Sequence, residues 1–177
     1  LFIAVDLPEA ARDALVQLQR QLQRQLQGSD HSHAMRWSAI SGVHLTLKFL
    51  GETPAIQVNE IETALGKAVH GIAPFDLNIE GAGCFPDTRK PRVVWAGCGG
   101  DVATLHDLRD AVERTVAPLG FPTEERPFSP HLTLGRVRQE ASSEGLTAIG
   151  GAVARLRVGI IASAISSLRV SDSVWMT

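Results

Sequence analysis

His44-Leu45-Thr46-Leu47 and His131-Leu132-Thr133-Leu134 are the same tetrapeptide, separated by about half of the 177-residue chain. Each lies in a run that reads as a β-strand, Val43 to Leu50 and Pro130 to Val137. Side chains alternate between faces along a strand. His44 and Thr46 therefore share one face, and Leu45 and Leu47 take the other. His131 and Thr133 stand against Leu132 and Leu134 in the same way. One His-x-Thr on a half-buried strand is ordinary β-structure. Two identical copies at half-chain spacing point to a duplication that kept its polar residues along with its leucines. If the halves fold alike, both polar pairs meet across a groove. Two imidazoles and two hydroxyls are a general acid, a general base and two hydrogen-bond donors, a set that can split a phosphodiester without a metal.

Working outward, residues 1–7 alternate as a strand. Pro8 and Glu9 open a helix, since proline is tolerated in the first turn and an acid suits its positive end. Ala11, Leu15, Leu18, Leu22 and Leu26 carry its apolar stripe to Gly28, and its Gln/Arg face is expected to be solvated. A polar loop, Gly28 to Ala34, precedes a short strand at Met35 to Ser38. After the first motif strand, Thr53 is expected to cap a helix with Pro54 at its first position, and Ile61, Leu65 and Val69 form its stripe to Gly71. Phe75 to Cys84 and Arg92 to Cys98 read as strands, and Gly99-Gly100 as a break. Asp101 caps a helix carrying Leu105, Leu108, Val112 and Val116 and ending at Gly120. Pro122, Pro127 and Pro130 hold an extended approach to the second motif. A short, weak helix is expected over 140–151, and one or two strands over Leu156 to Val170. The order gives an α+β fold with antiparallel-rich sheets and outer helices. The duplication implies two pseudo-symmetric lobes across a central groove, one motif in each. Residues 1–177 form a single bilobal domain whose chain crosses between lobes.

The chain is 44% hydrophobic and 20% charged, ordinary globular composition. No apolar run approaches membrane-spanning length, and the N-terminus shows no signal-peptide series of basic, apolar and cleavage regions. A cytoplasmic location is expected. Cys84 and Cys98 have no CxxC spacing and suit reduced thiols. A net charge of −2 argues against a protein that coats long nucleic acid, but not against one that recognises a phosphate at an RNA end. Local cations suffice for that: Lys48, Arg136 and Arg138 near the motifs, and Arg89, Lys90 and Arg92 in one loop. His31-Ser32-His33 reads as a surface loop without further ligands, and two histidines are too few for zinc. No metal and no cofactor is expected.

The paired His-x-Thr-x motifs resemble the 2H phosphoesterase superfamily. Their flanks narrow the resemblance. Leu1 to Pro8 (LFIAVDLP), Val43 to Gly51 (VHLTLKFLG), Pro91 to Ala96 (PRVVWA) and Arg126 to Arg136 (RPFSPHLTLGR) resemble, in order, the RNA 2′,3′-cyclic phosphodiesterase branch, also called the LigT-like or 2′-5′ RNA ligase family. The ends depart from the pattern. No initiator Met precedes Leu1, and Leu168 to Thr177 lacks the expected closing aromatic strand, so the sequence reads as trimmed. The resemblance implies two facing lobes and opening of RNA 2′,3′-cyclic phosphate ends to 2′-phosphomonoesters. No membrane is expected, no protein partner is implied, and the expected state is a monomer.

Residue types alone leave the acid and base roles interchangeable. The resemblance assigns leaving-group protonation to His44 and water activation to His131. Thr46 and Thr133 lie on the histidine face and can donate to phosphate oxygens. Lys48 has the parity of His44 and is expected to face the groove; its counterpart is Gly135. Arg136 has the opposite parity to His131 and reaches the substrate only if the strand bulges or ends at Gly135, and the resemblance favours a ligand role. Phe85 can stack on a base or serve the core. Trp37 and Trp95 read as core. Two other functions fit the same residues: 2′-5′ ligation at the same site, and a non-catalytic module that only holds a phosphate. The second would need no acid–base pair.

Overall fold

The computed structural model describes residues 1–27, 32–158 and 161–165. Among these are seven strands, Phe2–Val5 (β1), Met35–Trp37 (β2), Leu45–Phe49 (β3), Phe75–Phe85 (β4), Val93–Gly100 (β5), His131–Val137 (β6) and Ile161–Ile165 (β7). Four α-helices accompany them, Glu9–Leu26 (α1), Ala55–Val69 (α2), Val102–Val116 (α3) and Ser143–Ala154 (α4). The fold is mixed α+β with antiparallel sheets. β1 and β3 make a two-stranded sheet, and the order β2-β6-β5-β4-β7 makes a five-stranded one. Each motif strand thus belongs to a different sheet. β2 lies between β1 and β3 in sequence yet pairs with β6, so the chain crosses between the sheets. In the described residues the sheets are unequal in size, which the duplicated motif alone did not indicate.

The helices form where their apolar spacing demands. Ala11, Ala14, Leu15, Leu18, Leu22 and Leu26 of α1 are all buried. Leu105, Leu108, Val112 and Val116 do the same on α3, whose cap Asp101 accepts a hydrogen bond from the Thr104 amide at 3.0 Å. Helix α1 packs on α4, α4 on β4, α2 on α3, and α3 on β3. The motif leucines Leu45, Leu47, Leu132 and Leu134 lie in the shared core. Full burial of such side chains contributes about 1.5–3 kcal/mol each, so the polar face of each motif strand is left as the face that can be displayed.

Three local expectations shift. Pro54 is itself the cap of α2, which begins at Ala55, and no side chain caps it. The 140–151 helix begins three residues later, behind the Ser142 cap, and runs to Ala154. Gly99 and Gly100 complete β5 rather than break it; Gly100 sits at φ 82, where a Cβ would meet the Asp76 carbonyl at 2.8 Å. Gly28, and the final strand expected beyond β7, lie outside the described residues, as does His31.

Both motif strands bulge at the same place. Ala4 pairs with Thr46 and Ile3 with Lys48, so Leu47 is an extra residue on β3. Trp95 pairs with Thr133 and Val94 with Gly135, so Leu134 is the extra residue on β6. A bulge resets the alternation of faces. Leu47 and Lys48 both point inward, as do Leu134 and Gly135, and the next residues, Phe49 and Arg136, return to the exposed face.

Candidate active site

One groove of about 940 Å³ is lined by His44, Thr46, His131, Thr133, Arg136 and Phe85, together with Phe2, Phe49, Val93, Ser38, Gly42 and Val43. The two sheets thus bring both motifs to one cavity.

The histidines are held alike. His44 Nδ1 lies 2.9 Å from the Gly42 carbonyl, and His131 Nδ1 lies 2.8 Å from the Ser129 carbonyl. In each case the partner is the carbonyl two residues upstream. A carbonyl only accepts, so each Nδ1 carries the proton and donates it. Nε2 is then the nitrogen left for the groove, a base when neutral and an acid when charged. Thr46 and Thr133 make no side-chain hydrogen bond among the described residues, which leaves their hydroxyls available to a ligand.

The surroundings of the two rings differ. Phe2 stacks on His44 at 4.3 Å between centroids and 12° between planes. Burial holds the His44 pKa below its ordinary value of 6.5, because an imidazolium loses water there; the nearby Arg12 charge acts in the same direction. The Gly42 hydrogen bond and Asp6 oppose this without cancelling it. His131 instead meets Phe85 edge to face at 4.9 Å and 86°.

Arg136 reaches the groove through the bulge at Leu134. Gln19 holds that bulge. Its Nε2 donates to the Leu134 carbonyl and to the Ser38 carbonyl, each at 2.8 Å. The polar face of α1 is therefore not simply solvated: Gln19 is only 8% exposed. Arg12, one helical face along, donates to the carbonyls of Ile40 at 3.0 Å and Ser41 at 2.9 Å. These bonds fix the turn that presents Gly42 to His44.

Lys48 does not face the groove. The bulge at Leu47 turns it inward, where it is 6% exposed. Its Nζ donates to Glu113 Oε2 at 2.6 Å and to the Pro122 carbonyl at 2.8 Å. Arg109 meets the other Glu113 oxygen at 3.1 Å. A simple alternation of faces put Lys48 on the wrong side because it assumed an unbroken ladder.

Trp95 is not ordinary core. Its Cα partner is Thr133, so it shares the groove face of the sheet. Its ring lies 5.2 Å from Phe85 and 6.5 Å from His131, backing both. Gly83 makes this possible, since a Cβ there would meet the indole at 2.4 Å. Gly83 faces Trp95 only in the register of β4 on β5, so the sequence alone did not mark this role. No sequence signal distinguishes Gln19 or Arg12 from their solvated neighbours; their partners come from distant segments.

Among the described residues no group of three or more His, Cys, Asp or Glu could hold a metal ion. His106 packs its edge on Phe128 at 5.4 Å. The Cys84 and Cys98 thiols are free, and burial pushes them up to about 11 and about 12. They are protonated and unreactive near neutrality. No helix among the described residues is long and apolar enough to cross a membrane.

Comparison with known proteins bears on the family and the fold. The model of the LigT-like phosphoesterase family matches residues 5–95 and 101–170. A protein of Methanothermobacter thermautotrophicus named RNA 2′,3′-cyclic phosphodiesterase is 33% identical over 171 residues, covering 97% of this chain and 85% of its own length. One of the same name from Aeropyrum pernix is 34% identical, covering 74% of this chain and 72% of its own. Among solved structures, TT0787 of Thermus thermophilus superposes with a TM-score of 0.66 at 27% identity, covering 93% of this chain and 80% of that one. LigT of E. coli complexed with 3′-AMP superposes with a TM-score of 0.58 at 30% identity, covering 80% of this chain and 74% of that one. A family match that runs through both motif strands and the elements between them makes this chain a member of the LigT-like phosphoesterases.

Proposed function

We propose that this chain hydrolyses RNA 2′,3′-cyclic phosphate ends to 2′-phosphomonoesters by two-histidine acid–base catalysis without a metal. The observation that carries the reading is the matched pair of histidines, each held as the Nδ1–H tautomer and both lining one groove. The name shared by the relatives above supports the same substrate.

Neutral His131 Nε2 takes a proton from water as the water oxygen attacks phosphorus. The bond from phosphorus to O3′ breaks, and charged His44 Nε2–H gives its proton to O3′. The phosphate remains on O2′. The two histidines end with their protonation states exchanged, and solvent resets them. Thr46 and Thr133 donate to the non-bridging oxygens, where charge builds in the transition state, and Arg136 lines the groove beyond them. Phe85 offers a face for the terminal base. Residues 1–177 act as one bilobal unit, each lobe contributing one histidine.

Adenosine 2′,3′-cyclic phosphate, incubated with the protein in excess EDTA, should be converted to adenosine 2′-phosphate, read by chromatography against both isomers. The 3′ isomer as product would reverse the roles of the two ester bonds. Activity lost in EDTA and restored by zinc or manganese would replace the mechanism with a metal-assisted one.

A further inference from the structure

We infer that Arg36 and Arg136 together form a subsite for a backbone phosphate of the RNA, the phosphodiester on the 5′ side of the terminal nucleoside. This rests on the reading above and extends it from the cyclic end to the strand that carries it.

The site arises from register. Arg36 of β2 is the direct partner of Arg136 of β6, Arg136 of Val93 on β5, and Val93 of Phe85 on β4. Direct partners in an antiparallel ladder stand on one face, with Cα atoms about 4.5–5.5 Å apart. Arg136, Val93 and Phe85 line the groove. Arg36 therefore continues the same row outward to the neighbouring strand, just past the groove's rim. Both arginines are exposed, and neither has an acidic partner among the described residues; the ion pairs there involve Arg12, Lys48, Arg89 and Arg109.

Like charges placed directly opposite across two strands are unfavourable on their own. An anion between them removes the repulsion and gains two charge-assisted hydrogen-bond donors, in the fork geometry that suits phosphate. The cyclic phosphate belongs beside His44, His131 and the threonines. Thr133 and Arg36 are separated by one strand spacing across the sheet and two to three residues along it, roughly 10 Å. That offset separates two phosphates rather than two oxygens of one. The bulge at Leu134, held by Gln19, is what turns Arg136 toward Arg36's row.

The test compares adenosine 2′,3′-cyclic phosphate with the dinucleotide ApA ending in a 2′,3′-cyclic phosphate, which adds one internal phosphodiester. The dinucleotide should be opened with a kcat/KM higher by about tenfold or more, the fold-change of one charge-assisted hydrogen bond. Its logarithm should fall more steeply with the logarithm of salt, by about 0.7, as for one added phosphate contact on a single strand. Arg36→Ala should abolish both the advantage and the added slope while leaving mononucleotide opening unchanged; Arg36→Lys should restore part of each. If the mononucleotide is opened but the dinucleotide gains nothing, or if Arg36→Ala slows both substrates equally in a protein with unchanged thermal midpoint, the subsite is wrong and the hydrolase reading stands. If neither substrate is opened, the hydrolase reading itself fails and takes the subsite with it.

Discussion

Strand β3 with the His44 just before it and strand β6 carry the same four residues, bulge at the same leucine and hold their histidines by the same backward hydrogen bond, yet they build opposite halves of the groove. After the bulge, β3 continues with Lys48 and Phe49, and β6 with Gly135 and Arg136. Inward of β3 there is room and a partner, because α3 packs there and offers Glu113. Inward of β6 there is neither. β2 covers that position, and a Cβ on Gly135 would meet Met35 Cε at 2.8 Å and the Arg36 carbonyl at 3.0 Å. Outward, the first half presents phenylalanine, with Phe49 72% exposed, and the second presents a guanidinium. In the proposed mechanism the duplicated part sets proton transfer and phosphate contact. The unduplicated neighbours make one half apolar and the other cationic, so a two-fold pattern offers unlike walls to an asymmetric ligand.

The largest test of this comparison removes its shared part. His44→Ala and His131→Ala should each lower cyclic phosphate opening by roughly 10²–10⁴-fold, the range for a lost acid or base. Folding should persist, since the leucine side is the packed one. A folded variant of either kind that keeps near wild-type turnover would mean that the two halves do not act as partners.

Lys48 separates the halves by stability rather than by rate. Lys48→Met leaves the Glu113 carboxylate, 4% exposed in its side chain, with Arg109 as its remaining cation and the Glu124 amide at 3.4 Å. Removing one partner of a buried pair costs about 3–5 kcal/mol, read as a lower urea midpoint. Opening of the cyclic phosphate by the folded fraction should change little. A selective loss of turnover without destabilisation would put Lys48 back in the groove.

Thr46→Val and Thr133→Val should be milder than the histidine changes. Each removes one hydrogen bond to a charged oxygen, worth about 1.5–3 kcal/mol, or roughly 10- to 150-fold in kcat/KM. If the lobes contribute equally to the phosphate, the two losses should match. A loss for one threonine alone would show that a single lobe carries the phosphate, and wild-type kinetics for both would remove the hydroxyls from the site.

The smallest effect is one of pH. His44 is held below its ordinary 6.5 chiefly by burial, so in the free protein its charged form is lost earlier as pH rises. The pH profile of kcat/KM reports the free enzyme. With His44 as the acid, that profile should be bell-shaped, its two apparent pKa values belonging to the pair, and only the decline left after removal of His131 should be centred on His44, below 6.5. His131→Ala should then lose the acidic limb and keep a decline with rising pH. A residual rate that instead increases with pH would make His44 the base. NMR titration of His44 should give a value below 6.5, and inorganic phosphate should raise it, because an anion favours the imidazolium. A free-state value at or above 6.5 would mean that burial does not govern the charge of His44.

Local spacing determined a good deal by itself. Period-two alternation marked the motif strands, helical spacing marked α1, α2 and α3, and glycine and proline bounded them, because these signals lie within a few residues of each other. The face shared by each His–Thr pair was legible for the same reason, and it holds up to the bulge. Gly135 even marked where β6 could bend, as Arg136 required. The chain alone had no means of marking the bulge on β3, where Leu47 and Lys48 look like unbroken alternation and only pairing with β1 reveals the extra residue. It could not separate Gln19 and Arg12 from the other polar residues of α1, since their acceptors are carbonyls of segments up to 115 residues away. Nor could it set Arg36 beside Arg136, which is a matter of register between strands far apart in sequence. Side-chain direction follows from the ladder each strand joins, and the ladder exists only in the folded molecule.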